Sequence, residues 1–242
     1  MIALFTDFGL TGPYTGQVKA VLAREAPGVP IVDLFVDLPA GNPKSAAYLL
    51  AAYAVWFAPP IVLLAVVDPG VGGTRRAIVV EADGRFYVGP ENGLFEPVLR
   101  RAGSVHGWEI VWRPESLSAS FHGRDLFAPV AARLAVRGAD PAMSRETEIR
   151  RMPDWPNDLP EIAYIDHFGN AMTGLRAAIL SPGTRLAAGG HVLDRARTFS
   201  DMPPGAAFWY ENANGLAEIA VNSGRAGEIL GLEVGAPVTI LP

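Results

Sequence analysis

Cysteine is missing from all 242 residues. Its absence excludes disulfides, thiolate nucleophiles and Cys-based zinc sites, and it suits a reducing compartment. Blocks of like charge are missing too. The 20 Lys and Arg residues are scattered and the net charge is -5. No basic stripe can track a phosphate backbone, so no nucleic-acid partner is expected. Histidine is sparse: His106, His122, His167 and His191 are all there is, and no two sit at a metal-ligand spacing such as H-x3-H. The start, Met1-Ile2-Ala3-Leu4-Phe5-Thr6-Asp7, lacks a basic n-region and meets an aspartate too early for a signal peptide. A cytoplasmic protein is expected.

Charge is also absent from Ala46 to Val67, a run long enough to cross a bilayer. Pro59-Pro60 divides it, however. The Ala-rich first half has a helical pattern, whereas Ile61-Val62-Leu63-Leu64-Ala65-Val66-Val67 is β-branched. A buried helix leading into a buried parallel strand accounts for both halves, and no membrane span is expected.

Half of the residues are hydrophobic, enough for one large core or two unequal ones. Through residue 152, strand and helix signals alternate. Ile2–Thr6, Ile31–Val36, Ile61–Val67 and Ala77–Glu81 read as strands. Gly12–Glu25, Lys44–Phe57, Gly93–Arg101 and Leu126–Val136 read as helices. This pattern predicts an α/β domain over residues 1–152 with a mainly parallel sheet. Three prolines between Met152 and Pro160 mark a linker. Residues 160–242 then predict a smaller, mostly β, barrel-like domain. One hairpin is expected to turn at Phe168-Gly169-Asn170 and another at Asn214-Gly215, a favoured type I′ dipeptide. Pro237–Leu241 closes the chain as a strand.

In open α/β sheets, ligands bind beyond the carboxyl ends of the strands. Asp7 follows the first strand, and Asp68 follows the one ending Val66-Val67. If those strands are parallel, both carboxylates face one crevice; alternatively, each caps a loop or helix. After Asp68 comes a loop with three glycines and paired arginines, Pro69-Gly70-Val71-Gly72-Gly73-Thr74-Arg75-Arg76. It is neither a Walker motif nor a dinucleotide fingerprint, because the Gly-Lys-Ser/Thr ending is missing and a strand follows. Its glycines let backbone approach a ligand, and Arg75 can place a permanent cation beside whatever Asp68 holds. His122, in Phe121-His122-Gly123-Arg124-Asp125, lies just ahead of a helix, where side chains project into crevices or merely pack. Asp166-His167-Phe168-Gly169-Asn170 and Asn212-Ala213-Asn214-Gly215 are also consistent with simple turn chemistry.

Their order along the chain is more specific than any one of these motifs. Phe5-Thr6-Asp7-Phe8-Gly9, Val66-Val67-Asp68-Pro69-Gly70-Val71-Gly72 with Arg75, Phe121-His122-Gly123-Arg124-Asp125, Asp166-His167-Phe168-Gly169-Asn170 and Glu218-Ile219-Ala220-Val221-Asn222 together resemble the SAM hydroxide adenosyltransferases. These are adenosine-forming S-adenosyl-L-methionine (SAM) hydrolases, relatives of the SAM-dependent fluorinase and chlorinase. The resemblance implies hydrolysis of SAM by attack of water or hydroxide at the ribose 5′ carbon, with no cofactor and no metal. It implies a homotrimer with active sites between subunits. It also implies a catalytic trio of Asp68, Arg75 and His122. Asp7 would hold the ribose hydroxyls, Asp166 and Asn170 would line the ligand's other side, and Glu218 and Val221 would contact the nucleoside or its methionine tail. Two positions depart from the family pattern: Ala213 replaces a usual serine, and Met172 stands near a tryptophan of the halogenating relatives. A halogenase is disfavoured because Asp68 would repel an entering anion. A metal-dependent phosphohydrolase using Asp7, Asp68 and His122 is a second rival, and a SAM-binding sensor without turnover is a third.

Overall fold

A computed structural model describes residues 1–138 and 143–242. They divide into two units, Met1–Met152 and Pro153–Pro242. The first unit runs β1 (Ile2–Thr6), α1 (Tyr14–Glu25), β2 (Ile31–Phe35), α2 (Pro43–Tyr53), β3 (Ile61–Val66), β4 (Ala77–Ala82), β5 (Arg85–Pro90), α3 (Glu96–Arg101), β6 (Val105–Ile110), α4 (Ala128–Arg137) and β7 (Ser144–Glu146). The uncharged run is resolved as expected from its two halves. α2 starts at the Asn42 cap, whose side chain accepts from the Ser45 amide, with Pro43 in the first turn. A short 3-10 turn follows, and β3 begins after Pro59-Pro60 and is buried at every residue. Among the described residues no helix is long and apolar enough to cross a membrane.

The seven strands form one sheet in the order β2-β1-β3-β5-β4-β6-β7. β1 lies parallel to β2 and β3, and β3 lies parallel to β5. The other pairings, β5 with β4, β4 with β6 and β6 with β7, are antiparallel. The sheet is therefore mixed, parallel in one half only, rather than mainly parallel. The cause is local. Asp83 and Gly84 alone connect β4 to β5, both with positive φ (49° and 76°). Such a two-residue turn returns the chain at once, leaving no room for a crossover helix. On one face, Ile2 and Leu4 of β1 and Val62, Leu64 and Val66 of β3 pack against Val18 and Leu22 of α1 and Val130 and Leu134 of α4.

The second unit contains β8 (Leu159–Ile165), β9 (Ala171–Arg176), β10 (Arg185–Ala188), β11 (His191–Leu193), β12 (Ala207–Glu211), β13 (Leu216–Val221), α5 (Ala226–Ile229) and β14 (Thr239–Leu241). Its strands pair as a four-stranded sheet, β12-β13-β9-β8, and a three-stranded one, β11-β10-β14, so a continuous barrel is not seen among the described residues. All ladder pairings here are antiparallel. Leu175, Ile219, Trp209 and Leu186 contribute to the buried core of this unit. Both expected hairpins are present. The β12–β13 turn is not type I′, because only Gly215 has positive φ. Asn212 shapes it instead, its Oδ1 accepting the amides of Asn214 and Leu216 at 2.9 and 3.0 Å.

Candidate active site

β1 and β3 are parallel neighbours with Thr6 in register with Val66. Their carboxyl ends therefore deliver Asp7 and Asp68 side by side, as strand polarity predicts. Both line a cavity of about 260 Å³, together with Phe8, Gly41, Phe121 and His122. Asp7 accepts the Gly41 amide at 2.8 Å. Burial raises its pKa above the usual carboxylate value, the Gly41 amide opposes this, and the charge on Asp68 adds to the rise.

Asp68, Arg75 and His122 form a chain of contacts. The Arg75 Nε donates to Asp68 Oδ1 and Oδ2 at 3.1 and 3.0 Å, and Nη2 donates to Oδ2 at 2.5 Å. The two side chains are 12% and 4% exposed, so this pair is shielded from solvent screening. The same Nη2 lies 2.9 Å from His122 Nδ1. A guanidinium has no acceptor, so Nδ1 accepts and the neutral ring carries its proton on Nε2. His122 is buried. Burial lowers its pKa below the ordinary histidine value, and the Arg75 cation lowers it further. The Arg75 guanidinium also sits over the Phe127 ring, 5.3 Å from its centroid.

Glycine shapes this cavity at two points. Gly72 has φ +76, and a Cβ there would run into the Ala119 carbonyl, so the glycine-rich loop packs backbone to backbone on the segment before His122. A Cβ on Gly123 would stand 2.7 Å from Phe8 Cζ. Gly123 opens a single π-helical turn, Gly123–Phe127, that leads into α4. Among the described residues, no three His, Asp or Glu side chains gather where they could hold a metal ion. Asp7, Asp68 and His122 thus share a cavity wall without forming a ligand cage.

A second cavity, about 650 Å³, lies within the Pro153–Pro242 unit and is lined by Asp166, Asn170 and Val221. Asp166 Oδ1 accepts the Asn170 amide at 2.8 Å, and Oδ2 faces Asn170 Nδ2 at 3.3 Å. Glu218 is placed behind this wall rather than on it. It is 2% exposed, and its oxygens accept from Tyr210 Oη at 2.5 Å and Asn212 Nδ2 at 2.8 Å. Burial raises its pKa, against the pull of those two donors. Phe168, Phe199, Tyr210, Ser223 and Arg225 also line the cavity and were not among the expected site residues. Phe199 and Tyr210 meet edge-on at 5.3 Å, while Arg225 donates to the His167 carbonyl at 2.8 Å. Ala213 is exposed in the β12–β13 turn and is not part of the wall, whose hydroxyls belong to Ser223 and Tyr210.

Residues 2–143 match the SAM hydroxide adenosyltransferase N-terminal domain, and residues 160–239 match the C-terminal domain of the same family. The chain belongs to the SAM hydroxide adenosyltransferase family. An (R)-S-adenosyl-L-methionine hydrolase of Thermus thermophilus is 41% identical over 99% of both chains. The enzyme of the same name from Salinispora tropica is 37% identical, over 97% of this chain and 95% of its own. An uncharacterized conserved protein from Thermotoga maritima, of known crystal structure, superposes over 100% of both chains with a TM-score of 0.89 at 30% identity. Within the family frame, three of the segments that carried the resemblance, Phe5–Gly9, Val66–Gly72 and Phe121–Asp125, contribute residues to the wall of the first cavity.

Proposed function

We propose that this chain hydrolyses SAM to adenosine and L-methionine, with Asp68, Arg75 and His122 as its catalytic residues. The observation that carries the reading is the Asp68–Arg75–His122 chain set beside Asp7 at the ends of two parallel strands. In the reaction, a C5′–O bond forms as the C5′–S bond breaks, and the electron pair goes to sulfur. The leaving group is a neutral thioether, so it needs no general acid. The demand falls on the nucleophile. Arg75 supplies the positive charge that makes hydroxide accessible near neutral pH, its own place fixed by Asp68. His122, with Nδ1 committed to Arg75, offers its Nε2 proton to hold the attacking oxygen in line, and the water's other proton leaves to solvent. Preorganised donors in a buried site are the usual source of such stabilisation, and in-line positioning adds to it.

In this reading Asp7 holds the ribose hydroxyls, while Asp166, Asn170 and Val221 contact the other parts of the ligand. Glu218 acts on the ligand through Tyr210, which lines the cavity. The related hydrolases carry the (R) descriptor in their names, and the same sulfonium epimer is the expected substrate here. The family likeness further supports a homotrimer whose active sites lie between subunits. Incubation with SAM in ¹⁸O-water, followed by mass spectrometry, tests the reaction. Adenosine bearing the heavy oxygen, with free methionine, is expected. Bound, intact SAM would instead make the protein a sensor.

A further inference from the structure

Between β6 and the π-helical turn, residues 111–121 form no strand or helix, so no backbone ladder holds the segment that ends at His122. The Val111 and Trp112 amides donate to the Met143 carbonyl and hold its start; side chains fix the rest, and Asp125 is at the centre of those that do. Its carboxylate is 15% exposed. Oδ2 accepts the Ser118 amide at 3.0 Å. Arg124 donates to both oxygens, from Nε to Oδ1 at 2.6 Å and from Nη2 to Oδ2 at 3.0 Å. Arg124 is thereby aimed in two further directions. Nη1 donates to Gln17 Oε1 on α1 at 2.8 Å, and the guanidinium lies 5.0 Å from the centroid of the Phe121 ring. Phe121 meets Phe8 and Tyr14 edge-on. One carboxylate therefore pins the later part of the segment, at Ser118 directly and at Phe121 through Arg124. It also adds a charge near the ring: Arg75 and Arg113 disfavour the imidazolium of His122, while Asp68 and Asp125 favour it.

We propose that Asp125 is a positioning residue for the hydrolytic reaction, setting His122 in the cavity by anchoring the Ser118 amide and holding Arg124 on Phe121. The proposal rests on the hydrolase reading. It goes beyond the catalytic trio because Asp125 touches neither Asp68 nor Arg75 among the contacts described.

Two substitutions separate anchoring from charge. Asp125→Asn keeps an oxygen for the Ser118 amide and loses the charge; Asp125→Ala loses both. Turnover of SAM and the NMR titration of the His122 ring are measured for each, with circular dichroism confirming the fold. Asp125→Ala is expected to lose roughly 10- to 100-fold in kcat with little change in KM, the scale of a displaced catalytic group. Asp125→Asn should lose less, and its His122 should titrate at lower pH than in the unaltered protein. Unaltered kcat in folded Asp125→Ala, or a His122 titration identical in both proteins, would overturn the proposal. If Asp125→Ala does not fold, the kcat of Asp125→Asn, which loses the charged hold on Arg124, decides together with its titration: an unaltered kcat overturns the proposal. Should the unaltered protein yield no adenosine, the hydrolase reading falls, and the titration still reports whether Asp125 acts on His122.

Discussion

The Nη2 of Arg75 donates to His122 Nδ1 at 2.9 Å while the same guanidinium grips the Asp68 carboxylate. One cation thus sets the tautomer of the histidine and neutralises the aspartate. Replacement by lysine tests this double role. An ammonium is a point charge without the planar fork, and it cannot hold carboxylate and imidazole in one fixed geometry. Arg75→Lys is expected to cost about 10²- to 10³-fold in kcat, the usual loss when one preorganised donor is removed. Steady-state adenosine release measures it, and a kcat within threefold of the unaltered enzyme would remove Arg75 from the trio.

The pH dependence follows from the lowered pKa of His122, which burial causes first and Arg75 reinforces. A histidine depressed below its unfolded value binds fewer protons in the folded state. Its contribution to stability is therefore present above the unfolded pKa and is lost as pH falls through the window down to the folded one. The neutral ring is the competent form, so the acid limb of kcat/KM should lie below the ordinary histidine value of about 6.5. Replacing His122 by alanine should remove that limb and cost about 10²- to 10⁴-fold in rate. A limb centred above the ordinary value would contradict burial and the Arg75 contact as its determinants.

Much of the first unit is legible in the sequence because its burial is extreme. Ile2–Phe5 and Ile61–Val67 are continuous apolar runs that read as inner strands, and their parallel pairing in the fold brings Asp7 and Asp68 to one edge. β5 and β6 are hidden by comparison. Arg85-Phe86-Tyr87-Val88-Gly89-Pro90 and Val105-His106-Gly107-Trp108-Glu109-Ile110 mix polar and apolar residues without a clean period. The Asp83-Gly84 turn is a readable hairpin signal, and it is what makes β4 and β5 antiparallel. The reverse holds at Asn214-Gly215, where the Asn212 side chain overrides the dipeptide's own preference. Arg75 and His122 are separated by 47 positions, a pairing that no local spacing reveals, so only the family likeness links them. Phe199, Tyr210 and Arg225 share a wall only after the second unit folds.

Glu218 provides a test of the cavity wall in the second unit. Its pKa is raised by burial, so the folded state holds its proton more tightly than the unfolded chain. That contribution to stability is full below the unfolded value and fades as pH rises through the folded one. Alanine there removes the acceptor of the Tyr210 hydroxyl and of the buried Asn212 amide. A buried donor that loses its partner costs about 1–3 kcal/mol. Glu218→Ala should melt lower and raise KM for SAM, leaving the position of the acid limb unaltered. A moved acid limb would instead tie Glu218 to the chemistry.

Gly123 links packing to catalysis most directly. It sits next to His122 at the first position of the π-helical turn, and its missing Cβ leaves room for the Phe8 ring, which walls the cavity beside Asp7. Alanine would place a carbon 2.7 Å from Phe8 Cζ and 3.4 Å from Phe121 Cε2. Phe8 packs edge-on against Phe121 at 5.7 Å and lines the cavity, so a shift of its ring disturbs that contact or the cavity wall. Overpacking of this kind costs about 1–3 kcal/mol, and a displaced wall next to the nucleophile costs up to about 10²-fold in rate. Gly123→Ala should therefore be less stable and lose kcat/KM, whereas Gly138→Ala, where a Cβ meets nothing within 4 Å, should lose stability through its φ of +74 alone and keep its rate when folded. Thermal melts and SAM kinetics on the two variants separate the effects. Equal kinetics in both would show that the Phe8 wall has no part in holding the substrate or the water.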